Sequence, residues 1–99
     1  MLNPAEDVIQ RLVDSGLDEK EANIAVSMAG HSPMKASQIG KLVGVSRMDA
    51  YNTLKRLQEK GMIKSTLDKP MRFAGLTIAE IFHQLINREE AELRRLRNH

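Results

Sequence analysis

A mainly α-helical fold with one small β-hairpin and a long C-terminal helix is the architecture this 99-residue sequence predicts. Three observations point to it. Glycines at 16, 30, 44 and 61 each close a stretch of helical periodicity. The period then changes to two across Met62–Leu67, and Met71–Leu76 returns after the turn residues Asp68-Lys69-Pro70. From Thr77 helical spacing resumes and runs unbroken to about Asn98. Two independent cores do not fit in a chain of this size, so the expected organisation is one compact unit over residues 1–76 and an accessory helix over 77–99.

Each element has local chemistry that starts and stops it. Asn3 can cap a first helix, with Pro4 at the first helical position and Glu6 three residues after the cap; Val8, Ile9, Leu12 and Val13 give its apolar face. Asp18 with Glu21 forms a capping box for a second helix, whose stripe is Ala22, Ala25, Val26 and Ala29, flanked by Ile24 and Met28. After the turn His31-Ser32-Pro33, Met34-Lys35-Ala36 is long enough for one short strand. Ser37 can then cap a short third helix burying Ile39, Leu42 and Val43. Ser46 caps a fourth helix from Arg47 to about Lys60. In the hairpin, Ile63, Ser65 and Leu67 are expected to point one way and Lys64 and Thr66 the other. Thr77 with Glu80 is a third capping box and opens the last helix, about 30 Å long.

Composition narrows the class. Hydrophobic residues make up 41% and charged residues 28%, a globular mixture. No apolar run approaches the ~20 residues a bilayer span needs, so no membrane partner is expected. Met1-Leu2-Asn3-Pro4 lacks the charged and apolar regions of a signal peptide, and the absence of cysteine suits a reducing cytoplasm. The formal net charge of +2 hides an asymmetry: residues 1–30 carry two basic and six acidic groups, residues 31–76 nine basic and three acidic, and residues 77–99 four of each. A middle segment at net +6 suggests a face built for a polyanion. Catalytic chemistry finds no support. His31, His83 and His99 are far apart, no metal-ligand spacing or nucleophile elbow occurs, and Gly40 and Gly44 lack the Gly-Lys-Ser/Thr ending of a phosphate loop. No cofactor and no metal are expected.

The order short helix, Gly44-Val45 turn, longer helix, basic hairpin is that of a winged helix-turn-helix. On the fourth helix Ala50, Leu54 and Leu57 share the core side, with Tyr51 at its margin. Met48, Asn52, Lys55 and Glu59 lie opposite, and Ser46 and Arg47 sit at the helix start, where a groove-inserted helix meets base edges. The expected DNA-binding set is therefore Ser46, Arg47, Met48, Asn52, Lys55 and Arg56 with the wing residues Lys69 and Arg72. Arg47 can pair with guanine, Asn52 with adenine, and Lys55 or Arg56 with phosphate.

The last helix carries two stripes. Ile78, Ile81 and Leu85 can pack back on the core. Ala79, Phe82, Ile86, Glu89, Leu93 and Leu96 repeat three-four-three-four-three, a heptad seam broken by Glu89 and suited to a homodimer, with Arg88, Arg94 and Arg95 available to fix register.

From Gly16 to about Leu93 the sequence resembles the N-terminal DNA-binding domain of the TrmB family of archaeal transcriptional regulators. Gly16-Leu17, Glu21-Ala22 and Ser37-Gln38-Ile39 carry part of the likeness. Gly44-Val45, Arg47, Tyr51, Leu54, Arg56-Leu57, Glu59-Lys60-Gly61 and Ile63 carry the most, and Lys69-Pro70, Arg72 and Phe73 match the wing. The resemblance implies sequence-directed binding of double-stranded DNA as a dimer, with the fourth helix in the major groove and the protein in the nucleoid. Ser46 stands where the family has proline, Met48 where a small polar residue is common, Asp49 where a basic one is common, and Ala25 where tyrosine is usual. Longer members continue into a sugar-binding domain; with His99 as the last residue, no small-molecule effector is expected, and control falls to protein level or a partner. Two other readings stay open: an architectural chromatin protein of low sequence specificity, and a winged helix that binds protein. The salt slope and the specificity ratio on unrelated DNA separate them.

Overall fold

The computed structural model describes residues 3–98; the expectations placed on Met1, Leu2 and His99 lie outside them. The elements run α1 (Pro4–Asp14), α2 (Glu19–Met28), α3 (Ala36–Val43), α4 (Arg47–Glu59), β1 (Ile63–Ser65), β2 (Phe73–Gly75) and α5 (Ile78–Arg97). Local chemistry starts most helices as expected. The Asn3 side chain accepts from the Glu6 backbone N–H at 2.8 Å. Asp18 and Glu21 exchange backbone-to-side-chain bonds of 2.7 and 2.9 Å. Ser46 accepts from Asp49 N–H at 3.1 Å, and Thr77 and Glu80 close a reciprocal box.

The start of α3 differs from expectation. Ser37 lies inside the helix; Lys35 precedes it, and its backbone N–H is taken by Gln38 Oε1 at 2.8 Å. The strand expected at Met34-Lys35-Ala36 shrinks to one residue, Met34, whose N–H and C=O both pair with Phe73 at 3.0 and 2.7 Å. Because Gln38 reaches back to Lys35, the chain turns helical before a second ladder pair can form.

The hairpin is shorter too. β1 and β2 pair antiparallel, Ile63 with Gly75, Lys64 with Ala74 and Ser65 with Phe73. Beyond that ladder Thr66 N–H donates to Arg72 C=O at 2.8 Å, and the Thr66 hydroxyl accepts from Arg72 N–H at 3.0 Å. Leu67, expected on the Ile63 side, stands past the last pair and is fully exposed. Alternation constrains a side chain only while the strand is paired.

One core joins all five helices and the hairpin: Leu12, Leu17, Ile24, Met28, Ile39, Leu54, Leu57, Met62, Phe73, Ile81 and Leu85 are buried in it. Leu42 and Ile78, both expected inside, are about half exposed. Leu42 lies one turn past the buried Ile39 and Gly40, and Ile78 is the first residue of α5, before that helix reaches the body. Only the first half of α5 is anchored, through Ile81, Leu85 and the Arg88 guanidinium, which donates to the Ser15 hydroxyl and carbonyl at 3.2 and 3.1 Å. Arg88 thereby sits at the C-terminal end of α1, where the helix dipole favours a cation. From Glu89 to Asn98 every residue is exposed.

The cap of α5 also gives a pH dependence. The Thr77 backbone N–H, its hydroxyl and the nearby Lys64 hold the Glu80 carboxyl below the usual carboxylate range. A carboxylate held low in the folded chain contributes stability above its ordinary value, and the contribution disappears as pH falls through the lowered one. The melting temperature of the wild type minus that of Glu80→Gln is therefore expected to shrink on acidification; thermal melts from neutral to strongly acidic pH would show a constant difference if the cap carried no charge effect.

Candidate nucleic-acid interface

The turn between α3 and α4 fixes how the two helices cross. Gly44 takes the left-handed conformation (φ 78°), and the N–H groups of Gly44 and Val45 both reach the Gly40 carbonyl, at 2.8 and 2.9 Å. A Cβ on Gly40 would lie 2.8 Å from the Val45 carbonyl oxygen, so α3 can lie this close to the turn only with glycine there. Val45 packs partly into the core, and Ser46 then starts α4.

Four sides of α4 do four jobs. Ala50, Leu54 and Leu57 are buried in the core, as the spacing predicts. A second side meets α2: Asp49 takes Lys20 Nζ at 2.8 Å, Thr53 is fully buried with its hydroxyl on the Asp49 carbonyl at 2.9 Å, and Arg56 and Lys60 turn toward Glu21. A third side holds the hairpin, through Gln58 Nε2 to Ser65 Oγ at 2.8 Å and an edge-to-face contact of Tyr51 with Phe73, ring centroids 6.2 Å apart. The fourth side, Met48, Asn52, Lys55 and Glu59, faces away from the domain; Met48 is 65% exposed and Lys55 half-buried.

Of the expected set, Ser46, Arg47, Met48, Asn52 and Lys55 come together on the outward side and leading end of α4. Arg47 also lines a shallow cavity of about 170 Å³ shared by α3, α4 and the wing, with Lys35, Ser37, Tyr51, Pro70 and Met71. Lys69 and Arg72 flank Pro70 and Met71 in the segment joining β1 to β2. Among the described residues Arg47, Lys55, Lys69 and Arg72 form no ion pair, whereas Arg56 is within 4.0 Å of both Asp18 and Glu21. Asp49, which would repel phosphate if it faced the same way, is turned aside by Lys20. Sequence reasoning missed Lys35 as a neighbour of Arg47, because it counted that residue as strand. It also left Tyr51 as a marginal core residue; the sequence signals were its place one turn after Arg47 and its match to the TrmB pattern.

A concave junction of helix-turn-helix and wing, bordered by uncommitted cations, is the arrangement of a DNA-binding regulator. The sequence matches the family profile described as sugar-specific transcriptional regulator TrmB over residues 12–78. The chain belongs to the TrmB family. As a TrmB protein it is a DNA-binding transcriptional regulator with a winged helix-turn-helix, and the profile spans everything from the end of α1 to the first residue of α5. Solved structures share this TrmB chain's fold at low identity. A possible transcriptional regulator from Methanosarcina mazei Go1 superposes with a TM-score of 0.73 at 14% identity, over 97% of this chain and 85% of the other. The YusO protein from Bacillus subtilis gives 0.62 at 18%, over 92% and 68%. An ArsR-like transcriptional regulator from Rhodococcus sp. RHA1 gives 0.58 at 21%, over 97% and 92%. No curated protein matches the sequence. Among the described residues no helix is long and apolar enough to cross a membrane.

Proposed function

We propose that this regulator reads double-stranded DNA in the nucleoid as a homodimer, with α4 in the major groove and the wing on the flanking backbone. One observation carries the reading. Among the described residues Arg47, Lys55, Lys69 and Arg72 form no ion pair; of the two acidic residues of α4, Asp49 is held by Lys20 away from the outward row and Glu59 stands at its far end. Arg47 and Asn52 are the base-reading residues, Met48 offers an apolar surface to a thymine methyl group, Lys55 takes phosphate, and Lys69 and Arg72 bind backbone beside the groove. Sugar specificity belongs to the family's description and is carried over to no residue here.

The dimer follows from α5. Phe82, Ile86, Leu93 and Leu96 are between 41% and 58% exposed, and Ala79 and Glu89 complete their row. A second copy laid on that row covers the strip and supplies the two-fold symmetry that paired half-sites require.

Mobility shifts at several salt concentrations test the reading face. Lys55→Ala is expected to weaken binding on every duplex and lower the salt slope by about one unit. Arg47→Ala and Asn52→Ala are each expected to blur specificity at one base position, by about 1–3 kcal/mol. Unchanged affinity in a combined Arg47→Ala/Lys55→Ala protein would remove this face as the reader. Equal affinity of the wild type for all duplexes would favour the architectural reading instead.

A further inference from the structure

Among the described residues Glu21 is the one buried carboxylate, 1% exposed. Its capping-box role explains one of its two oxygens: Oε1 accepts from the Asp18 backbone N–H at 2.9 Å. The same oxygen takes Lys60 Nζ at 2.8 Å, across 39 residues of sequence. Oε2 accepts no hydrogen bond among the described residues, and Arg56 Nε lies 3.7 Å from it. The Arg56 guanidinium is spread over this corner: Nη2 donates to the buried Thr53 hydroxyl at 3.2 Å and lies 4.0 Å from Asp18 Oδ2. At the other end of α4, Lys20 holds Asp49. So α2 grips α4 by charge at its first turn and again at its last.

An apolar side chain at position 21 would fill the same space, and buried ion pairs add little stability over well-packed hydrophobic residues. What an ion pair adds is direction. Glu21 is itself fixed at the start of α2 by the Asp18 box, so its carboxylate is a stationary point on which Lys60 and Arg56 must converge. Both cations project from the side of α4 next to the outward row of Met48, Asn52 and Lys55, so the rotation of α4 about its axis is tied to where they land. Contacts to base edges depend on that rotation far more than contacts to phosphate, because paired hydrogen bonds to a base tolerate little displacement.

We propose that Glu21 is a positioning residue for base reading, setting the rotation of α4 through Lys60 and Arg56, and that Arg56 serves this clamp rather than a DNA phosphate. The proposal rests on the reading of α4 as the groove helix, and it withdraws one cation from the expected DNA-binding set. It also assigns a purpose to the acidic N-terminal segment, which supplies the counter-charges Asp18 and Glu21 for the basic middle.

The test uses the full chain and two 30-base-pair duplexes, one recovered from a random library by the wild type and one a scramble of it. Wild type, Lys55→Gln, Arg56→Gln and Glu21→Gln are compared by fluorescence anisotropy across 50–200 mM salt, well below their melting temperatures, with thermal melts alongside. Lys55→Gln is expected to lose about one unit of salt slope on both duplexes. Arg56→Gln is expected to keep the wild-type slope, and both it and Glu21→Gln to lose about tenfold in the selected-to-scrambled affinity ratio. Arg56→Gln losing a unit of slope with an unchanged melting temperature would make Arg56 a phosphate contact and overturn the proposal. Lower melting temperatures with an unchanged affinity ratio would overturn it as well, leaving the clamp merely structural. Should Glu21→Gln fail to fold, Lys60→Gln breaks the same contact from its accessible side and faces the same two criteria. A wild type that recovers no duplex from the library defeats the DNA-reading proposal itself, a result distinct from any of these.

Discussion

A Phe82→Glu/Leu93→Glu protein is expected to sediment as a monomer at micromolar concentration, and the wild type as a dimer. Both side chains sit about half exposed on the outer row of α5, with Ile86 between them and Leu96 beyond. Burying each such apolar side chain contributes about 1.5–3 kcal/mol before entropy is counted, on both copies at once. Two glutamates on each chain replace that gain with the desolvation of four carboxylates. Neither substitution touches Ile81 or Leu85, which anchor α5 to its own domain, so the winged helix itself is expected to stay folded. Affinity for a two-half-site duplex should fall about a hundredfold or more, because the second half-site contact is no longer tethered to the first. Sedimentation velocity decides the matter. A monomeric wild type, or a variant that remains dimeric, would sink the seam.

Phe73→Ala is expected to cost about 3–5 kcal/mol, a large part of the total stability of a domain this size. Phe73 is 1% exposed, its backbone pairs with Met34 on one side and Ser65 on the other, and its ring stands edge-on to Tyr51. It touches the segment before α3, the facing strand β1 and α4 together. Its loss leaves a void under the wing and takes away the support of Tyr51 beside Arg47. Urea unfolding at one fixed protein concentration measures the cost, since association shifts the midpoint by mass action. A loss below about 1 kcal/mol would mean that the wing base is packed by other residues.

Much of this was legible in the chain because it is written locally. Asn3, Asp18 with Glu21, Ser46, and Thr77 with Glu80 each act within three residues of themselves, and each forms the cap its spacing implies. The outward row of α4 is legible for a similar reason, since helical spacing separates Met48 and Asn52 from Ala50 and Leu54. Spacing fails where a face has no cover. Leu42, Leu67 and Ile78 are apolar at helical or strand intervals, yet Leu42 and Ile78 are covered only in part and Leu67 not at all. It fails again for long-range partners. The sequence gives Glu21 a capping role, and nothing near it announces that Lys60, 39 residues on, will share the same oxygen. The acid-rich start and base-rich middle point to a polyanion, and neither Arg56 nor Lys60 is singled out by them as a partner for the acidic start. Likewise Arg88, expected to set register between two copies, is spent on Ser15 within its own chain.

Pairing of two copies through the exposed outer half of α5, as proposed, would carry a kinetic and regulatory consequence. The stretch from Glu89 to Arg97 extends a helix already nucleated on the domain, but has no buried side chain of its own to hold its last turns. With a second copy as its cover, the winding of these last turns and the meeting of two chains become one reaction, second order in the protein. Below the concentration at which chains pair, the ends fray and half-sites are met singly. Above it, helix, pair and paired-site occupancy appear together, so occupancy climbs at first with the square of chain abundance. For a regulator that pairs this way, synthesis and breakdown of the chain are expected to serve as its input signal, a twofold change in expression being read at low occupancy as about a fourfold one.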